Sequence, residues 1–261
     1  MQWWCSATGR PWTWSWQWYP GIHLLLILVA LAWWRAGRRD GWSHYPVGWF
    51  AAAWLILLAS LDWPIGKLGA GYLASAHTLQ FLLLTEAAAP LLIRSIPADG
   101  WAALIRRHGV AMRRLAHPLV GILGYNILVV FTHFPTVVDN AMTSQLGSMA
   151  IDLSWLVAGW LLWWPILAPR SVNRVGVFGA ILYIFGATAI PTIPAMMMAF
   201  SNWPIYRLYE LAPRVWPHFT ANSDLQLAGL SMKFVGELPL WATVFLVFIR
   251  GARAEGELVN A

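Results

Sequence analysis

The chain has 261 residues, of which 59% are hydrophobic and 11% charged, with a mean hydropathy of +0.57. An ordinary soluble domain carries about 25% charged residues, so this composition excludes a water-soluble enzyme. A single cysteine excludes a disulfide scaffold or a zinc finger. The net charge of +6 then belongs either to nucleic-acid binding or to membrane topology, and the placement of the basic residues decides.

Residues 1–19 contain Arg10 but no apolar core of the signal-peptide kind. Trp12, Trp14, Trp16 and Trp18 alternate with polar residues. Indoles favour the headgroup zone, so this segment is expected along the outer membrane interface. Cys5 sits there as a lone thiol without a motif. Beyond it, a helix needs about 20 apolar residues to cross about 30 Å of hydrocarbon. Runs of that kind lie at roughly 20–35, 46–62, 72–93, 118–134, 146–168, 175–200 and 225–249. They predict an all-α integral membrane bundle of seven helices forming a single domain over 1–261. Trp33, Trp34, Trp63, Trp163 and Trp164 fall at span ends, as membrane anchors do.

Twelve basic residues fall in alternate connections: Arg35, Arg38 and Arg39; Arg94, Arg106, Arg107, Arg113 and Arg114; Arg170 and Arg174; Arg250 and Arg253. Arg10, Lys67, Arg207 and Arg214 lie on the other side, and Lys233 lies within a span. By the positive-inside rule the N-terminus is outside and the C-terminus cytoplasmic. Arginines spread over four short loops form no nucleic-acid groove or motif. Residues 97–117 read either as a plain cytoplasmic loop or as an interfacial helix touching anionic lipid.

Ionisable groups inside spans are costly and therefore functional candidates. Lys233 and Glu237 are four apart on one helix face and read as an ion pair or as a site for a partner helix. His77 and Gln80 share a face, whereas Glu86, nine residues on, is rotated to the opposite one. His133, with Asp139 after it, and His218 lie toward the same outer side. Met196, Met197 and Met198 form a run after Pro191 and Pro194, with Met142, Met149 and Met232 assigned to the same leaflet. Thioether and imidazole suit copper, although methionine also fills irregular apolar cores. No HExxH, CxxC, P-loop or GxGxxG stands in a usable context, so hydrolase, thiol-redox and nucleotide chemistry have no support.

Several segments, in order, resemble one family. SAHTLQFLLLTEAAAPLLI (75–93), THFPTVVDNAM (132–142), GWLLWWPI (159–166) and DLQLAGLSMKF (224–234) with Glu237 are similar to the motifs of the polytopic CtaG-type cytochrome c oxidase assembly factors. The resemblance runs from about residue 45 to 253. It carries over His77, Gln80, His133, Asp139, Asp224, Met232, Lys233 and Glu237. The chain departs from the pattern at Phe81, where many members have a second histidine, and near Ser148 and Asp152, where others occur. Leu225 stands at an expected glutamine, with Gln226 next to it.

The resemblance implies a nonenzymatic assembly factor in a bacterial plasma (inner) membrane, with haem–copper oxidase subunits and membrane lipid as partners. Copper is the expected cargo, transiently held on the outer side by His77, His133, Met196, Met197, Met198 and Met232. Gln80, Glu86, Asp139, Asp224, Lys233 and Glu237 are expected in structural or partner-binding roles. Two other readings stay open: a structural subunit resident in the oxidase complex, and a metal or solute transporter using Glu86, Lys233 and Glu237.

Overall fold

A computed structural model describes residues 2–172 and 175–259, and its regular elements are all helical. Arg174, one of the expected topogenic arginines, lies outside the described residues. Helix α1 is Pro20–Asp40, α2 Val47–Leu61 and α3 the short Ile65–Gly71. Helix α4 comprises Ala74–Leu82, a π-helical turn Leu83–Ala88 and Ala89–Arg94. Then follow α5 (Ala98–Leu115), α6 (Pro118–Thr132), α7 (Pro135–Ala141) and α8 (Gln145–Leu167). Helix α9 runs over Val177–Ala189 and Thr192–Ala199, and α10 is Arg207–Glu210. The last, α11, comprises Ala221–Leu230, a second π-helical turn Ser231–Val235 and Gly236–Val259.

Among the described residues, five helices are long and apolar enough to cross a membrane alone: α1, α4, α8, α9 and α11. The predicted spans 46–62 and 118–134 become the 15-residue helices α2 and α6, each about 22 Å long and short of the hydrocarbon thickness. They reach spanning length only with bent neighbours, α2 with α3 at 41° and α5 with α6 at 67°. By length and composition the described residues thus hold five to seven candidate spanning helices, the pattern of a multi-pass membrane protein.

Helix α4 is the most deeply buried of the long helices and packs against α2, α3, α8 and α11. Its fit to α8 depends on Gly159, where a Cβ would stand 2.7 Å from both the Ala89 Cβ and the Thr85 carbonyl oxygen. The π turn there leaves that carbonyl facing α8, and the Trp163 indole donates to it at 3.0 Å. The antiparallel run of the helices gives the bundle two ends. At one, Arg39 and Arg107 meet Asp40, Trp33 donates to the Ser95 carbonyl, and Ser43 donates to Asp99. At the other, the starts of α4, α8 and α11 meet the C-terminus of α6 and the N-terminal segment.

That N-terminal segment corrects the expectation of an interfacial strip over 1–19. Trp14, Trp16 and Trp18 are exposed, but Trp4, Cys5 and Ser6 are buried in the bundle. The backbone N–H groups of Trp3 and Trp4 both donate to the Gln145 side-chain oxygen, and Trp4 Nε1 donates to Asp152 at 2.7 Å. Lys67, expected in a loop, is likewise buried in α3. Its ammonium donates to Gln2 Oε1 at 2.9 Å and to the Ser6 carbonyl at 2.8 Å. A buried ammonium needs such acceptors, and the inserted segment supplies them.

Candidate functional site

The two buried histidines meet at the end of the bundle that receives the N-terminal segment. His77 lies in the first turn of α4, and His133 directly follows α6. Their ring centroids stand 6.5 Å apart. Trp155 packs 4.6 Å from His77 and 6.0 Å from His133, Phe81 lies 4.8 Å from His133, and Tyr209 lies 5.8 Å from His77. His133 Nδ1 lies 2.8 Å from the Val129 carbonyl oxygen. A carbonyl only accepts, so in the neutral ring Nδ1 carries the proton and Nε2 keeps its lone pair. That Nε2 and both nitrogens of His77 are buried without hydrogen-bond partners. Three unpaired imidazole nitrogens buried this close together are a costly arrangement, since buried polar groups are ordinarily paired.

Further polar groups are buried on the same helices. Gln80 donates to Asp152 Oδ1 at 2.8 Å, while its own Oε1 is buried and unpartnered beside Gly69. A Cβ on Gly69 would come within 2.8 Å of that oxygen and 3.0 Å of the His77 backbone, so only glycine lets α3 approach α4 here. Ser148, one turn before Asp152, has a buried, unpartnered hydroxyl. Phe81 touches His133, and Asp152 is tied to the His77 helix through Gln80.

Two acidic candidates are engaged as helix caps. Asp224 accepts from the Ala74 N–H at 2.6 Å, from the Ser75 N–H at 3.1 Å and from the Ser75 hydroxyl. Asp139 accepts from the N–H groups of Arg207 and Leu208 at 3.3 and 2.9 Å, which fixes α10. From α10, the Tyr209 hydroxyl donates to the Gly69 carbonyl at 2.5 Å, and the Tyr206 hydroxyl lies 2.9 Å from the His133 carbonyl. Burial raises both phenols far above their ordinary range, so they act as donors. Helix α10 therefore covers the histidine pocket.

The methionines and His218 do not converge on this pocket. Met197 and His218 are exposed and Met196 is half-buried. Met198 is buried, but its sulfur faces the Tyr206 hydroxyl at 3.6 Å. Met232 lines a different cavity. Successive helix positions point about 100° apart, which is why the run cannot present three sulfurs to one ion. Among the described residues, no three His, Cys, Asp or Glu side chains are grouped to hold a metal.

Met232's cavity lies between the two π-helical turns and measures about 20 Å³, room for about one water. Glu86, Tyr125, Thr192, Lys233 and Glu237 line it. Lys233 and Glu237 form an ion pair, Lys233 also donates to Thr192 at 3.0 Å, and Trp241 donates to Glu237 at 3.2 Å. Glu86 Oε2 is buried and unpartnered. The three ionisable residues therefore share a second polar centre, separate from the histidines.

Sequence reasoning missed Trp155 and Tyr209 against His77, Asp152 against Gln80, and the buried Trp4 and Lys67 that hold the N-terminal segment. Asp152 was within reach, because an ionisable residue inside a predicted span is a candidate by rule. Lys67 carried a weaker signal, a lone cation in the small-residue run IGKLGAG. No curated protein and no solved structure matches the chain. The family model described as cytochrome c oxidase caa3 assembly factor (Caa3_CtaG) matches residues 11–254. The match spans nearly the whole bundle, the histidine pocket and the π-turn centre included: the chain belongs to the cytochrome c oxidase caa3 assembly factor family.

Proposed function

We propose that this family member assists the assembly of a haem–copper cytochrome c oxidase by transiently holding a cuprous ion between His77 and His133, on the outer side of a bacterial plasma membrane. The observation that carries this reading is a pair of buried imidazoles with ring centroids 6.5 Å apart and three nitrogens without hydrogen-bond partners. Two imidazoles sharing an ion in line at ~2.0–2.1 Å have ring centroids about 6.4 Å apart, so the 6.5 Å separation stands at the upper limit for a shared ion. A site with two nitrogen ligands and no carboxylate or thiolate suits a soft monovalent ion held weakly. Weak holding is what a donor needs. The orientation rests on the arginines, which gather at the end of the bundle opposite the histidines.

The test is copper content after purification under reducing conditions, for wild type, His77→Ala and His133→Ala. Wild type should retain copper in substoichiometric, exchangeable form, and each variant should lose it. No copper in any form would sink the metal role and leave a partner-binding scaffold. The second reading is a subunit resident in the oxidase complex. Its signature is stoichiometric co-purification with the mature oxidase, whereas an assembly factor leaves it.

A further inference from the structure

At the arginine-rich end, a cavity of about 660 Å³ opens between the C-terminal half of α1, helix α5 and the C-terminal half of α8. Its size falls within the ~300–1,000 Å³ of small-molecule sites. Its walls are almost wholly apolar, with Val29, Leu104, Leu156 and Trp160 among them. The lining indoles Trp42 and Trp164 keep their N–H groups buried beneath the wall, and Trp33 donates its own to the Ser95 carbonyl, so the cavity presents an apolar interior to whatever fills it.

The rim adds charge. Asp40 is shared by Arg39 at 3.0 Å and Arg107 at 2.7 Å, so one carboxylate faces two guanidinium groups and leaves an excess positive charge. Arg38, Arg106 and Arg113 are exposed on the same two helices. Helix α5 turns by 67° into α6, so it does not continue that helix's line, and its last turn carries Arg113 and Arg114.

We propose that this cavity binds one acidic glycerophospholipid. An acyl chain fills the apolar interior, and the phosphate headgroup sits at the rim against Arg39 and against Arg107, which reaches the rim through Asp40. A prenylated quinone matches the apolar interior but leaves the arginine rim without a counter-charge. A zwitterionic phospholipid satisfies the rim less well. The acidic lipid alone uses both features.

The experiment exposes the purified full chain in detergent to an equimolar mixture of dioleoyl phosphatidylglycerol, dioleoyl phosphatidylcholine and a prenylquinone, and counts retained ligand by native mass spectrometry. One phosphatidylglycerol per chain is expected, favoured about fivefold over phosphatidylcholine by the one guanidinium charge that Asp40 leaves uncompensated. The double variant Arg39→Gln/Arg107→Gln should erase the preference. Leu156→Trp, which narrows the cavity, should lower retention of both phospholipids. Should Leu156→Trp fail to fold, Val157→Phe, at a partly exposed position of the same lining, should do the same. Equal retention of the two phospholipids by wild type, preferential retention of the quinone, or undiminished phosphatidylglycerol in the cavity-narrowing variant that folds would overturn the assignment.

Discussion

Asp224 on α11 caps the N-terminus of α4, a helix 150 residues away in sequence from the point of contact. The residue at the α4 cap position, Leu73, has no side chain that can accept a hydrogen bond, so the carboxylate arrives from a neighbouring helix. It satisfies the Ala74 and Ser75 donors and sets a negative charge against the positive end of the helix dipole. His77 lies just beyond these donors, so the cap also fixes the height and rotation of one histidine of the pocket.

Asp224→Ala should therefore destabilise the bundle by about 2–3 kcal/mol, a lost cap together with stranded buried donors. Asp224→Asn keeps one acceptor oxygen and should lose less. Thermal unfolding in detergent, followed by circular dichroism, checks the order wild type, Asn, Ala. An alanine variant as stable as wild type would show that the cap does not hold α4.

The Lys233–Glu237 pair makes a different prediction. Its side chains are only 24% and 20% exposed, and the neighbouring Phe234 and Leu238 face outward. Removing one partner strands a charge at membrane depth, which costs about 3 kcal/mol or more. Lys233→Met or Glu237→Gln should each lower stability more than the double variant does. A double-mutant cycle on melting temperature reads this directly. Additive losses would mean that the two charges do not depend on each other.

Helix boundaries were legible in the sequence because the apolar runs are long and the bundle leaves few polar residues between them. Thus the run 72–93 corresponds to Ala74–Arg94 and 146–168 to Gln145–Leu167. Two helical features were not legible. The π turns at Leu83–Ala88 and Ser231–Val235 add an extra residue to the helical turn, and no pattern of side chains announces that. The short α2 and α6 were read as full spans because hydropathy does not register the bends that follow Leu61 or precede Pro118. At the site, His77 and His133 could be paired from their common side of the membrane. The methionine run could not be resolved in that way, because its fate depends on which face of α9 meets Tyr206. The role of Trp4 was hidden for a similar reason: a tryptophan near a chain end reads as an interfacial anchor until its partner, Asp152 at 148 residues' separation, is known.

Cys5 reports on the inserted N-terminal segment. Its thiol is 1% exposed and lies 3.4 Å from the Leu61 carbonyl. Burial pushes its pKa well above the ordinary thiol value, and the nearby Asp152 carboxylate adds to the effect. Only the thiolate reacts with a maleimide, so the native protein should label slowly at neutral pH and faster as pH rises. Trp4→Ala removes the bond to Asp152 and loosens the segment, so labelling of Cys5 should accelerate by about tenfold or more, a release of about 1.4 kcal/mol or more in local opening. Mass spectrometry of the labelled N-terminal peptide follows both rates. Fast labelling of the native chain would place the segment outside the bundle.

Helix α10 closes the histidine pocket, and Asp139 holds α10. Four residues have few backbone hydrogen bonds of their own, so the Asp139 cap and the Tyr209–Gly69 bond supply much of its hold. Opening this cover is the simplest route by which a ligand reaches His77, which is 3% exposed when it is closed. Asp139→Ala removes the cap, worth about 1 kcal/mol, and Tyr209→Phe removes the bond to Gly69 while leaving the ring in place. Carbethoxylation of His77, read by peptide mass spectrometry, should be nearly absent in the native protein and rise about fivefold in either variant. The two changes act on one small element, so the double variant should exceed either single one without a matching loss in the melting temperature of the bundle. If His77 is modified as fast in wild type as in the double variant, the pocket is open without any movement of α10, and Asp139 serves the fold alone.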